Sequence, residues 1–124
     1  MEPRTFKKIL LLDDEPGVVF ALKLLLGALK FEVTETNQPE RAVELLATEA
    51  HFDLFLCDLK MPRMNGMAVL AETRRLRPNL PFLLMSAHAT TVEVAEAKQR
   101  GASGFIAKPF SPEELESALS ALGR

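Results

Sequence analysis

Residues 8–15 read Lys8-Ile9-Leu10-Leu11-Leu12-Asp13-Asp14-Glu15, four consecutive apolar residues that stop at three acids. An apolar run this short, with no polar alternation, suits a strand covered on both faces, as in a parallel sheet layered by helices. The same shape recurs in Asp53-Leu54-Phe55-Leu56-Cys57-Asp58 and in Pro81-Phe82-Leu83-Leu84-Met85-Ser86. Strands are therefore predicted at 8–13, 53–58 and 81–86, with two less apolar ones at 31–36 and 104–107.

Between these runs lie helical patterns with their own punctuation. Thr90-Thr91-Val92-Glu93 and Ser111-Pro112-Glu113-Glu114 fit the capping box, and Pro112 adds a favoured first-turn proline. Pro39 opens a second helix; Arg74, Arg75 and Arg77 before Pro78 close a third. Leu115, Ala118, Leu119 and Leu122 form one apolar stripe on the last helix. The sum is five βα units, and right-handed crossovers make them a doubly wound α/β sandwich. At 124 residues the chain reads as one domain, 1–124.

Composition narrows the function. Apolar residues make up 48% and charged residues 26%, with a net charge of −2, a balance typical of globular proteins. The arginines at 74–77 sit where a helix dipole favours cations, so no basic stripe for nucleic acid is left. One cysteine, Cys57, excludes an intrachain disulfide. No apolar run has the ~20 residues a bilayer crossing needs, so a cytoplasmic protein without membrane contact is expected.

In a doubly wound sheet, ligands bind beyond the carboxyl ends of the strands. Those ends carry Asp13-Asp14-Glu15, Asp58, Ser86 and Lys108-Pro109. Two like charges ~4 Å apart repel by roughly 4 kcal/mol at an intermediate dielectric, so clustered acids need a cation or a retained proton. An all-oxygen site with few protein ligands suits Mg²⁺. Lys108 and Ser86 add an ammonium and a hydroxyl for phosphate oxygens. A carboxylate so placed is a candidate nucleophile toward phosphorus. Asp58, alone at the end of the third strand, is the better attacker; Asp13 and Asp14 look like the metal bracket.

Asp13-Asp14, Asp58 with Met61-Pro62 and Asn65-Gly66 after it, Ser86-Ala87 and Lys108-Pro109-Phe110 together resemble the receiver domain of two-component response regulators. The resemblance runs from about residue 7 to residue 122. It implies a flavodoxin-like five-stranded parallel sheet of order 2-1-3-4-5 and phosphorelay signalling without an enzymatic turnover of its own. It implies Asp58 as phosphoacceptor, with Mg²⁺ (or Mn²⁺ in vitro) held by Asp13, Asp14, Asp58 and the backbone carbonyl of Lys60. It further implies Ser86 and Lys108 as phosphoryl contacts, Phe105 as a switch aromatic, a cis bond before Pro109, and Lys60 and His88 as modulators of hydrolysis. The implied donor is a histidine kinase or histidine phosphotransfer protein. The fourth helix, fifth strand and fifth helix, with Val94, Ala97 and Phe105, would signal to an output domain or partner, or form a phosphorylation-dependent dimer. Ser86 stands where threonine is frequent and Phe105 where tyrosine is common, so the switch aromatic has no phenol.

Duller readings exist for most of these residues. Asp13 and Asp14 could cap the first helix, but capping leaves Asp58 and Lys108 unexplained. Cys57, pointing away from Asp58 by strand alternation, reads as a small core residue. His51 reads as solvated, and His88 as either an exposed loop residue or a group at the site's rim. The methionines 61, 64, 67 and 85 read as filling. On the first helix, Val18, Ala21, Leu22, Leu25 and Leu29 share a face expected in the core. Phe20 and Leu24 oppose it, beside Gly27, as a patch for docking the donor. Two other functions compete: a haloacid-dehalogenase-like phosphatase, disfavoured by the Asp13-Asp14-Glu15 strand end and the lack of a cap domain, and a phosphorylation-independent binding module.

Overall fold

Five strands and five helices alternate among the described residues of the computed structural model, 7–62 and 64–122. The two extremes of the expected domain, 1–6 and 123–124, lie outside them. The strands are β1 (Lys8–Leu12), β2 (Glu32–Thr36), β3 (Leu54–Asp58), β4 (Phe82–Ser86) and β5 (Gly104–Ala107). The helices are α1 (Pro16–Ala28), α2 (Pro39–Leu46), α3 (Gly66–Leu76), α4 (Thr91–Gln99) and α5 (Pro112–Ala121). All pairings are parallel, in the order β2-β1-β3-β4-β5, as the resemblance implied. Three predicted strands start one residue early: Phe31, Asp53 and Pro81 precede β2, β3 and β4.

Side-chain alternation divides the core into two layers. Leu10, Leu12, Phe55, Cys57, Phe82 and Leu84 face α2, α3 and α4, where Ala42, Leu46, Val69, Leu70 and Ala97 are buried. Ile9, Leu11, Leu54, Leu56, Leu83, Met85 and Ile106 face α1 and α5, with Val19, Leu22, Leu26, Leu115 and Leu119. Each fully buried leucine is worth about 1.5–3 kcal/mol of transfer free energy. This double burial is why β1, β3 and β4 read as unbroken apolar runs. β2 lies at the edge and carries Glu32 and Glu35 exposed on it, charges that discourage edge-to-edge pairing.

Both predicted capping boxes are formed, at Thr90/Glu93 and Ser111/Glu114, and Pro39 opens α2. The face of α1 differs from the expectation. Val19, Leu22 and Leu26 are buried, Val18, Leu25 and Leu29 are half-buried, and Ala21 is exposed. The helix is turned by less than one residue step (~100°). Nearly every position of α1 is apolar, so its own pattern cannot choose the face; packing against the sheet does. No described helix is long and apolar enough to cross a membrane.

The arginines of α3 do more than answer its dipole. Arg74 donates to Gly101 O at 3.0 and 2.6 Å, to Leu80 O at 2.8 Å and to Arg77 O at 3.3 Å. Arg77 reaches past α2 to Leu46 O and Thr48 O and lies over the Phe52 ring. Carbonyls left open where α2, α3 and α4 end thus find charged donors. Arg75 pairs with Glu72 on its own helix.

Candidate functional site

Parallel register brings the carboxyl ends of β1, β3, β4 and β5 to one rim. Leu12 pairs with Cys57, Asp58 with Met85 and Ser86 with Ala107, so Asp13, Asp58, Ser86 and Lys108 follow side by side. Asp13, Asp58 and Ser86 are buried, at 0%, 4% and 2% exposure, while Asp14 and Lys108 are half-buried. Carboxylate oxygens of Asp13, Asp14 and Asp58 lie within 4.8 Å of one another. The Lys108 ammonium is 2.7 Å from Asp13 Oδ2 and 3.3 Å from Asp58 Oδ1. The Lys108–Pro109 peptide bond is cis.

Local structure explains these placements. Asp13 Oδ1 accepts the Glu15 N–H at 3.0 Å, which turns the chain into α1. The N-cap of α1 is Glu15 and has no side-chain cap bond, so capping does not account for Asp13 and Asp14. Asn65 caps α3 through the Ala68 N–H. Gly66 then sits hard against the end of β3: a Cβ there would stand 2.6 Å from Asp58 O and 2.8 Å from Leu59 Cα. Any side chain at 66 would push α3 off the strand that carries Asp58. Asn65 and Gly66 entered the sequence reading as parts of a motif; only the packing gives their physical reasons.

Electrostatics mark Asp58 out. Burial, followed by the charge of Asp13, pushes its carboxyl up to about 6, although Lys108 pulls the other way. For Lys108 burial acts downward, but the hydrogen bond to Asp13 and the charges of Asp13 and Asp58 outweigh it and raise the ammonium. Three carboxylates and one ammonium leave two formal negative charges at the rim. That donor set of hard oxygens, with a charge a divalent cation would cancel, fits such an ion. A phosphoryl group could be held by the same ammonium and by the Ser86 hydroxyl, whose oxygen accepts the His88 N–H at 3.2 Å.

Other candidates fall around this rim. Lys60 is exposed and its ammonium points to His88 O at 3.1 Å and Glu93 Oε1 at 3.4 Å. His88 is exposed, and Phe105 is half-buried against the layer under α4. Cys57 is buried in that layer; burial first, then Asp58 and Asp13, push its thiol well up. Met61 and Met85 are buried and Met64 and Met67 half-buried, as filling. His51, read as solvated, is exposed yet lies 2.7 Å from Asp53 Oδ1. Phe20 and Leu24 are 65% and 60% exposed. They line a groove of about 780 Å³ with Gly27, Glu35 and Asn37, toward the β2 edge. A second groove of about 450 Å³ on the other flank of α1, with Val18, Ala21, Pro109 and Phe110, reaches Lys108 itself. The sequence reading missed that flank because it placed Ala21 in the core.

Known proteins resemble this chain in sequence and fold. The family model described as the response regulator receiver domain matches residues 9–120. The two-component response regulator ARR14 of Arabidopsis thaliana is 35% identical over 89% of this chain, and the transcriptional regulatory protein ZraR of Escherichia coli is 33% identical over 90%. The chain spans only 29% and 25% of the lengths of those relatives. The chemotaxis protein CheY4 of Vibrio cholerae superposes with a TM-score of 0.86 at 27% identity, covering 94% of this chain and 98% of that one. With the family matched across nearly all of the described sheet and helices, the chain belongs to the response regulator receiver domains, the signalling modules of two-component phosphorelays.

Proposed function

We propose that this single domain takes a phosphoryl group on Asp58 from the phosphohistidine of a histidine kinase or histidine phosphotransfer protein. The observation that carries the reading is a buried carboxylate at the end of the central strand, raised to about 6 yet 3.3 Å from a lysine. At neutral pH such a group is mostly ionised and only partly neutralised, so it remains a nucleophile. An Asp58 oxygen bonds to phosphorus as the P–N bond breaks; the electron pair stays on the donor imidazole, which takes up a proton. Lys108 holds a phosphoryl oxygen, and Ser86 turns its hydroxyl to another. Asp13, Asp14, Asp58 and the Lys60 carbonyl would hold Mg²⁺, which when bound supplies the positive charge that transfer of a phosphoryl group requires.

The new group brings a charge of about −1.5 to −2. As Ser86 follows it, Phe105 shifts toward the space left, and the α4-β5-α5 surface changes its population of states. Val94 and Phe105 are half-buried there and Val92 is 74% exposed; Ala97 is buried, so it transmits packing and touches no partner. The output is a partner or an attached domain, and this chain itself makes no nucleic-acid contact. Lys60 and His88 remain the candidates for tuning hydrolysis.

Intact mass after incubation with acetyl phosphate tests the core of this reading. One adduct is expected with Mg²⁺, lost with EDTA and lost in Asp58→Asn. No adduct in the wild type, or one that survives in Asp58→Asn, refutes the acceptor assignment. Donor docking on α1 is tested by Phe20→Glu and Ala21→Glu, one on each flank. Either should slow transfer from the kinase while leaving labelling by acetyl phosphate intact; unchanged transfer in both removes α1 from the docking surface.

A further inference from the structure

We propose that Glu93 is a positioning residue that parks the Lys60 ammonium across the β3–α3 and β4–α4 loops until the rim gains negative charge. This rests on Asp58 being the phosphoacceptor. Lys60 lies two residues beyond Asp58, and Glu93 is the one carboxylate paired with it among the described residues. The same Glu93 Oε1 accepts the Thr90 N–H at 2.9 Å, while Thr90 Oγ1 accepts the Glu93 N–H at 3.1 Å. One oxygen therefore closes the first turn of α4 and holds Lys60. A second branch runs from Lys60 Nζ to His88 O, and the His88 N–H donates to Ser86 Oγ. The loop beside the acceptor, the hydroxyl of the rim and the start of α4 are tied together through these contacts.

The division of labour between the two lysines supports this. Lys108 is half-buried and committed to Asp13 and Asp58. Lys60 is exposed and held by a partner outside the rim. Exposed pairs are weak, so a phosphoryl group of about −1.5 to −2 charge on Asp58 can compete for Lys60. The Thr90 N–H and the Lys60 ammonium both hold the Glu93 carboxyl below its usual range, so it stays charged at physiological pH. Release of Lys60 leaves the capping box intact and frees α4 from the β3–α3 loop.

Glu93→Gln separates the two roles, because glutamine at this position still closes a capping box but carries no charge for Lys60. The test uses wild type, Glu93→Gln, Lys60→Gln and the double variant. The rate of labelling by acetyl phosphate at low ionic strength is read beside amide exchange in the first turn of α4. Glu93→Gln should label several-fold faster, since the freed ammonium attracts an anionic donor. In the Lys60→Gln background the same change should do nothing. An equal acceleration in both backgrounds, or none in either, overturns the proposal. Absence of labelling in the wild type would instead refute the acceptor reading, and exchange then decides alone. Faster exchange in both single variants with no further rise in the double supports the tie; equal protection in all four overturns it.

Discussion

Asp53 and Asp58 stand at opposite ends of the same stretch, and the fold treats their charges oppositely. Asp53 Oδ2 accepts the N–H groups of Lys7 and Lys8, both at 2.9 Å, and its other oxygen meets His51. Burial acts against its ionised form, but these hydrogen bonds win and its carboxyl is lowered. Asp58 has burial and a neighbouring acid against it, and its carboxyl is raised. At that end of the sheet Arg74 and Arg77 are also engaged, on the carbonyls where helices end. In the cluster of Asp13, Asp14 and Asp58, the first and last share one lysine, Lys108. One rim uses charge to hold the fold; the other holds charge uncompensated, in keeping with the proposed binding of a cation and a phosphoryl group.

The sharpest way to break this comparison is Arg74→Met. It removes the donor from the carbonyls of Gly101 and Leu80 and leaves them short of partners, so about 2–4 kcal/mol of stability should be lost in urea unfolding. A loss below about 0.5 kcal/mol would mean that the arginine answers only its helix dipole. Labelling of Asp58 should persist under native conditions, since Arg74 is engaged with the carbonyls of Gly101 and Leu80, away from the proposed phosphoacceptor rim.

Asp58→Asn should act in the reverse direction and stabilise the protein at neutral pH by about 1–3 kcal/mol, the upper bound being the shift from 3.8 to about 6. The sign follows from linkage. A carboxyl raised in the folded state favours the protonated form, so its contribution is most favourable below pH 3.8 and is lost as pH rises toward 6. Wild type should therefore lose stability relative to Asp58→Asn between pH 4 and 6, and the gap should narrow when Mg²⁺ is added. An Asp58→Asn variant less stable than wild type at pH 7 without metal would contradict the stored-charge account.

A smaller effect is expected for Asp53→Asn, about 1–2 kcal/mol of destabilisation, since the amide oxygen can keep one backbone contact. Here the folded carboxyl is lowered, so the stability it contributes is present above the unfolded value and falls away as pH drops through the acid range. Acid titrations of the two asparagine variants should deviate from wild type in opposite senses; a shared sense would erase the contrast between the rims.

Legibility in the sequence followed the same division. β1, β3 and β4 were readable because burial on both faces demands unbroken apolar runs, and α4 and α5 because their capping boxes are local. The rim residues were readable because each ends a strand or follows its end. The face of α1 was not, since Val18 through Leu29 is apolar almost throughout and no local rule orders those positions. The stitching by Arg74 and Arg77 was also hidden, because its acceptors are backbone carbonyls on distant loops and carry no side-chain signature.

The sequence by itself determined the alternation of strands and helices, the parallel doubly wound sheet and the set of acids, hydroxyl and ammonium at the strand ends, because burial, capping and strand termination are short-range demands written in residue type. Only the tertiary structure decided how strongly those groups act on one another. The 2.7 Å contact of Lys108 with Asp13, the raised carboxyl of Asp58, the closeness of Gly66 to the Asp58 backbone and the hold of Glu93 on Lys60 depend on distances between segments far apart in the chain. Packing of the two core layers sets those distances.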